Sequence, residues 1–419
     1  MDSRIEKLIQ LTKEKWGLNE YYLHSHSIDQ RVTSFNDTYY TLSMEWFPNG
    51  AEIEEGLNPD GTASISLNIH SGKYESIIFV GGVSYAAGVC FQDDETHDII
   101  QWVETETGLT NGQDFQLEKE EEGHLYFRQC LNGKPVSPSG YIELRYDDFR
   151  RLTFFSVYHL QVPGAVLKEE EFTLSIAEIE ELVGEQLQLI HFPNYDEQLI
   201  TPAYAIEEIY IRNHLKSTIE YTLDDRNRLE IKRLIEWTHP STGDFEKREM
   251  FQRSREYTAE QAFSKESSID TLPITEMEQE KCISAVEKVV SKLYPAESGK
   301  WELKTLHRDN GSIYAVVKSK VQTANIFKRK ILVMIDKDSF EPLNYMDTSS
   351  MMEMYDAFDQ AGEVMISKKQ ALQKIHKHLE LKPIYVYNHQ QNAYVLCGML
   401  DCQYAVNAVN GKVVPLADL

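Results

Sequence analysis

A strand–turn–strand signature recurs about five times along this chain, each copy downstream of a helical stretch, and it constrains the fold more than any other feature. Such a pattern specifies repeated small α+β units, each a helix packed on an antiparallel sheet of three or four strands. A helix covers one face of its sheet and leaves the other free, so neighbouring units are expected to share sheets or pack faces together. The last copy, Gln403 to Leu416, reads QYAVNAVNGKVVPL. Its two apolar runs flank Asn410-Gly411, the preferred two-residue hairpin turn, in which both residues take positive φ.

Four earlier segments repeat the pattern. In Ser64 to Val80, Ile65, Leu67 and Ile69 alternate with Ser66, Asn68 and His70, and Ser71-Gly72 makes the turn. Tyr141 to Val157 turns at Asp147-Asp148, and Ser217 to Ile235 turns near Asp224 to Asn227. Lys328 to Met346 turns at Asp336 to Ser339. Further strands are expected at Tyr39 to Phe47, His124 to Leu131, Ala203 to Arg212, Ile313 to Val321 and Tyr394 to Met399.

Three of the helices carry capping boxes: Ser175 with Glu178, Thr275 with Glu278, and Ser367 with Gln370. In this arrangement the hydroxyl accepts from a free backbone N–H and the third side chain reaches back to the cap. Apolar stripes follow at helical spacing, as in Cys282, Val286, Val289, Val290 and Leu293. The first helix carries Ile5, Leu8, Ile9 and Trp16, and a second runs around Asp94 to Thr107. The units are accordingly drawn at residues 1–92, 93–164, 165–255, 256–348 (with a linker at its start) and 349–419. The stretch His239 to Thr275 separates three units from two, with a lesser break at Pro163-Gly164.

A net charge of −25 argues against nucleic acid and anionic membrane surfaces as partners. The only tight basic cluster, Lys328-Arg329-Lys330, reads as a solvated strand edge. No apolar run is long enough to span a bilayer, so membrane insertion is not expected. The sequence as written begins with an amphipathic helix instead of an export signal, and its five cysteines are odd in number and scattered. Both point to a cytoplasmic address; an upstream signal peptide would move the protein outside the membrane.

The sharpest enzyme-like feature is Gly82-Val83-Ser84-Tyr85-Ala86, a near match to the nucleophile elbow of a serine hydrolase using Ser84. That motif needs a parallel sheet, whereas this strand follows its partner across a tight turn, so a small-residue loop is the preferred reading. Cys397 and Cys402, with His376, His378 and His389 upstream, superficially resemble a zinc cluster. His376 and His378 face different sides of a helix, and the cysteines read as small buried hydrophobes. The pairs Asp93-Asp94, Asp147-Asp148, Asp224-Asp225 and Asp336 with Asp338 sit where Asp bonds locally to the backbone. His24 and His26 read as scaffold. No catalytic, cofactor-binding or metal-ligating residue is therefore assigned.

The closing segment, Tyr404-Ala405-Val406-Asn407-Ala408 through Gly411-Lys412-Val413-Val414, resembles the ending of a PepSY unit. Glu45-Trp46-Phe47-Pro48 and Asn58-Pro59-Asp60-Gly61-Thr62 are similar to the first unit of PepSY-like tandem-repeat proteins of spore-forming Gram-positive bacteria. The resemblance implies a helix on an antiparallel sheet, no cofactor and no catalytic residue. It also implies a role in binding or restraining peptidases, although no peptidase is attached here. The expectation is a non-enzymatic, multi-unit protein engaging a protein or peptide partner through its surfaces or strand edges. The competing classes are the Ser84 hydrolase and a purely structural, self-associating protein.

Overall fold

A computed structural model describes residues 1–33, 35–52, 56–92, 96–158, 166–167, 170–214, 217–219, 228–243, 245–248, 256–321, 327–355, 357–388 and 391–419. The first helix, α1 (Ser3–Lys15), is capped by Asp2, whose carboxylate accepts from the Arg4 amide at 2.9 Å. An antiparallel meander follows: β1 (Tyr21–Val32), β2 (Thr38–Pro48), β3 (Ala63–Asn68) and β4 (Tyr74–Phe79). Next come α2 (Thr96–Thr107), β5 (Phe115–Glu121), β6 (His124–Leu131), β7 (Lys134–Ser137), β8 (Tyr141–Tyr146) and β9 (Leu152–Tyr158). The last strands of the two meanders, β4 and β9, pair antiparallel with Ile77 opposite Phe155. The result is one eight-stranded antiparallel run, β1-β2-β3-β4-β9-β8-β6-β5. Both helices lie on the same face of it, Trp16 and Trp102 meeting edge-on at 6.4 Å over a shared core.

A short strand, β10 (Val166–Leu167), precedes the Ser175 cap, where the Ser175 amide donates to Glu178 Oε2 at 3.0 Å. The helical segment behind it tightens to a 3₁₀ turn over Ile176–Ile179 before α3 (Glu180–Gln186). Then follow β11 (Leu187–Asn194), β12 (Leu199–Ile206), β13 (Ile209–Arg212), β14 (Thr218–Ile219) and β15 (Leu229–Ile235). The hairpin expected over Ser217 to Ile235 does not form as one pair. β14 joins β13, whereas β15 joins the sheet that follows; the expected turn at Asp224 to Asn227 lies outside the described residues.

A section of the stretch expected as a boundary, His239 to Thr275, is folded against the first sheet. There α4 (Ala259–Ser264) and the residues after it dock beside α1, with Ala262 buried in the N-terminal core. Tyr40 Oη donates to the Glu266 carbonyl at 2.8 Å, the Ser268 amide to Thr38 Oγ1 at 2.8 Å, and Asn36 Nδ2 to the Thr271 carbonyl at 2.8 Å. The Thr275 box then opens α5 (Glu276–Leu293). Cys282, Val286, Val289 and Val290, all fully buried, face β16 (Trp301–Asp309), β17 (Ser312–Ser319) and β18 (Lys330–Asp336). With β15 and β19 (Pro342–Asp347) these strands make a five-stranded antiparallel sheet. Each such aliphatic side chain removed from water contributes about 1.5–3 kcal/mol.

The remaining elements are α6 (Ser349–Glu353), β20 (Asp359–Gln360), α7 (Lys368–Ile375), β21 (Glu380–Asn388), β22 (Ala393–Asp401), β23 (Tyr404–Asn407) and β24 (Val413–Pro415). The expectation of one helix on its own sheet fails for residues 165–255 and 349–419. Their hairpins are exchanged: β11-β12 continues into β23-β24, and β21-β22 continues into β13-β14. A two-strand hairpin alone is marginal, and each gains a paired edge from the other span. The helices α3 and α7 pack into one core with Ile211, Leu400 and Val406. Parallel contacts of β7 with β21 tie this assembly to the N-terminal sheet. The whole is an α+β protein of several antiparallel and mixed sheets.

The turns also differ from the expected two-residue type. At the closing hairpin only Gly411 has positive φ (72°), and Asn410 does not. Asn407 Oδ1 accepts from the amides of Val409 (2.9 Å) and Asn410 (3.2 Å), holding a longer right-handed turn that the glycine closes. Asn68, Asn194, Asp336 and Asn388 each accept a backbone amide within the turn in the same way. In each case the fourth residue onward, Gly72, Gln198, Phe340 or Asn392, takes positive φ. The repeated unit of local structure is thus an Asx-initiated turn with a left-handed residue four positions later.

The exchange has a measurable consequence. Leu400→Ala, at a fully buried position, should cost about 2–5 kcal/mol. Hydrogen exchange should accelerate together in α3 and α7; acceleration in α7 alone would show that the two spans do not share a core.

Candidate binding surfaces

The positions singled out for chemistry are mostly occupied structurally. Ser84 is buried, and its Oγ accepts from the Ala86 amide at 3.3 Å within an irregular loop. It is not in a left-handed backbone conformation, and the strand before it, β4, is antiparallel to both neighbours. Cys397 and Cys402 are fully buried, and burial pushes the Cys397 thiol up to about 12 and raises that of Cys402. His378 packs against the Tyr404 ring at 4.3 Å, and His389 lies outside the described residues. Among the described residues no group of three His, Cys, Asp or Glu side chains is gathered as a metal site.

The acidic positions bond to their own turns. Asp147 Oδ1 accepts from the amides of Phe149 and Arg151, and Asp336 Oδ1 from Asp338 and Ser339, which together hold the Asp336 carboxyl below its ordinary range. Asp93-Asp94 and Asp224-Asp225 lie outside the described residues. Within the basic cluster, Arg329 is engaged by Glu297 at 3.0 Å and lies over the rings of Tyr294 and Trp301. On β1, His24 stacks on Phe47 at 4.0 Å.

Two surfaces that sequence reasoning did not single out emerge instead. The first is the helix-free face of the eight-stranded run. Strand register places Ser27, Ser43, Ser66, Ser76 and Ser156 side by side across five strands, followed by Glu143 and Tyr126. Beside this row stand Tyr39, Tyr158 and Tyr141, the last two 5.9 Å apart, and Tyr126 stacks on Tyr141 at 5.7 Å. Thr41 Oγ1 and Ser66 Oγ are buried there with no hydrogen-bond partner. Burial pushes the Tyr39 hydroxyl up to about 12, with Glu75 adding to the rise and Arg31 opposing it. Burial likewise raises the Glu75 carboxyl, against the pull of Asn68, whose Nδ2 donates at 3.2 Å, and of Arg31. The serines are legible as the polar half of each strand's alternation; their alignment depends on the β4–β9 join, which nothing local encodes.

The second surface is the edge of β11. Most other sheet edges are guarded. β1, β5 and β15 carry bulges, and β5 and β15 are also dense in charge. The flank of β19 is covered by residues 245–248, the Arg248 amide donating to the Leu343 carbonyl at 3.0 Å. β14 and β24 are two and three residues long. By contrast β11, LQLIHFPN, is eight residues long, pairs with β12 without a register shift, and contains no Asp, Glu, Lys or Arg; Pro193, which has no N–H, limits its free edge to Leu187–Phe192. No strand among the described residues pairs with its outer side. A separate open groove of about 690 Å³ lies between residues 48–52 and 57–60, bordered by Glu20 and Tyr85.

These features define an α+β protein whose distinctive surfaces are a strand edge and a helix-free sheet face. No protein-family model matches the chain, and no curated protein matches it. Among solved structures, the Bacillus megaterium YpeB C-terminal domain aligns over 83% of this chain and 97% of its own length, with 8% identity and a TM-score of 0.24. The reading of the surfaces rests on their own geometry.

Two measurements follow from the titration directions. Cys90 is exposed and the other four cysteines are buried, so a thiol reagent should modify Cys90 alone in the native protein and all five after denaturation. Because the folded-state Glu75 carboxyl is raised, the fold binds its proton more tightly than the unfolded chain does. Stability is then lost as pH rises from the unfolded value near 4.5 through the folded one. Denaturant titrations of Glu75→Gln should show less of this decline as pH rises above the unfolded value; an unchanged pH profile would contradict the assignment.

Proposed function

We propose that this chain is a non-enzymatic binding protein that takes an extended segment of a protein or peptide partner onto the edge of β11. The observation that carries the reading is the contrast among the described edges: over Leu187–Phe192, ahead of Pro193, β11 is regular and uncharged where the others are bulged, charged, covered or very short. An unguarded edge offers a row of backbone donors and acceptors, and strand addition satisfies them while side-chain pockets set specificity. Ile190 and Phe192, beside Ala203, Ala205 and Ala405, supply an apolar strip next to that edge. The buried, unstrained setting of Ser84 supports binding over hydrolysis. The PepSY-like resemblance suggests a peptidase as the partner, with the added strand restraining it.

Extended peptides selected from a random library on the intact chain should slow hydrogen exchange across Leu187–Asn194. Ile190→Lys, or Gln188→Lys at the exposed neighbouring position, should weaken them by about tenfold or more, since an edge lysine opposes strand addition. Selected peptides that leave β11 exchange unchanged, and bind both variants as tightly as the parent, would overturn the proposal.

A further inference from the structure

The pairing of β12 fixes which way each peptide group of β11 points. The carbonyls of Gln198, Ile200 and Pro202 accept from the amides of Asp359, Ala361 and Ala408, so the even-numbered residues along β12 face β20 and β23. The odd-numbered ones face β11, because backbone groups alternate sides along a strand. Ala203 stands opposite Ile190 and Ala205 opposite Gln188, so Gln188, Ile190 and Phe192 bond to β12. Leu187, Leu189, His191 and Pro193 therefore turn their backbone groups outward. Of these, Pro193 has no N–H, and the Leu187 amide donates back to the Val183 carbonyl at the end of α3. The outward donors that remain are the amides of Leu189 and His191, and no strand among the described residues lies against them.

This pattern matches its own image. A pair of β11 strands laid antiparallel about an axis at Ile190 overlaps from Leu187 to Pro193. Each Leu189 then faces the His191 of the other copy, and every outward amide meets an outward carbonyl. Leu187 and Pro193, the positions with no amide to give, face each other at the ends. Charge favours the same contact. At a net charge of −25, a pair of copies repels over most of its surface, but neither β11 nor β12 contains Asp, Glu, Lys or Arg. Ile190 and Phe192 extend their apolar strip across the axis. Bulges and charges on a sheet edge defend against pairing with other copies of a chain, and β11 lacks that defence. Pairing there also stops at a dimer: it uses the open edge of both molecules, and β24, at the far side of the sheet, is three residues long.

We infer that β11 pairs with β11 of a second copy of this chain about Ile190, in a closed dimer that a peptide partner must open. The inference rests on the reading of β11 as the binding edge and adds what regulates it. Sedimentation of the intact chain from micromolar to hundreds of micromolar should show its mass rising from that of a monomer to that of a dimer. Ile190→Lys, and separately Gln188→Lys at an exposed position, should weaken the dimer by about tenfold or more. Peptides selected on β11 should return the dimer to monomer. The register has its own test, made in a Cys90→Ser background that removes the exposed thiol. On oxidation Ile190→Cys should cross-link the dimer, since residues paired on the axis lie about 4.5 Å apart. Gln188→Cys should not, since its copies are displaced along the strands by about 13 Å. A chain that stays monomeric throughout, a dimer that resists both lysine variants, or equal cross-linking of the cysteine variants would overturn the inference. A monomer whose Leu189 and His191 amides are protected by peptide would sink the dimer and keep the peptide reading. A dimer that cross-links at Ile190→Cys while no library peptide touches β11 would do the reverse.

Discussion

Backbone pairing between strands distant in sequence is the interaction on which this structure depends. A meander of four short strands with one helix buries only one of its faces and leaves two edges open. The chain resolves this in two different ways. Toward the N-terminus, a pair of meanders joins through their last strands, Ile77 opposite Phe155, so two edges vanish at once and both helices share one core. Toward the C-terminus, hairpins are exchanged, β12 pairing with β23 and β22 with β13. The candidate surfaces are what remains after these pairings: one edge left regular and unguarded, and one face left without helices.

Much of the local structure was legible in the sequence. The Thr275 and Ser367 boxes place the starts of α5 and α7, and the buried stripe from Cys282 to Val290 is the face that meets the sheet. These signals are local: a cap needs one residue and its third successor, and a stripe needs only helical spacing. The same is true of the strand alternation in Ser64 to Phe79, whose Ile65, Leu67 and Ile77 are buried.

What the sequence left hidden has a common physical origin. The run from Ser217 to Ile235 reads as one hairpin, yet β15 pairs with Trp301–Asp309, because alternation states that a strand has two faces without naming its neighbour. The Asn410-Gly411 pair looked like a two-residue turn; the side chain of Asn407 captures two amides and lengthens it. The serine row is a property of register across five strands, two of them about eighty residues apart. The guarding of edges is similarly collective, since the neutrality of β11 acquires meaning only beside the bulges of β1, β5 and β15.

The exchanged hairpins impose an order on synthesis. β12 leaves the ribosome roughly 200 residues ahead of β23, and at about 5–20 residues per second that interval is on the order of tens of seconds. Until β20 and then β23 are made, the β12 edge of the β11–β12 hairpin lacks its strand partners, while the whole of the β15–β19 sheet is made and can close on itself. Only when Tyr404 to Pro415 arrives does β12 gain the antiparallel partner that completes the second assembly.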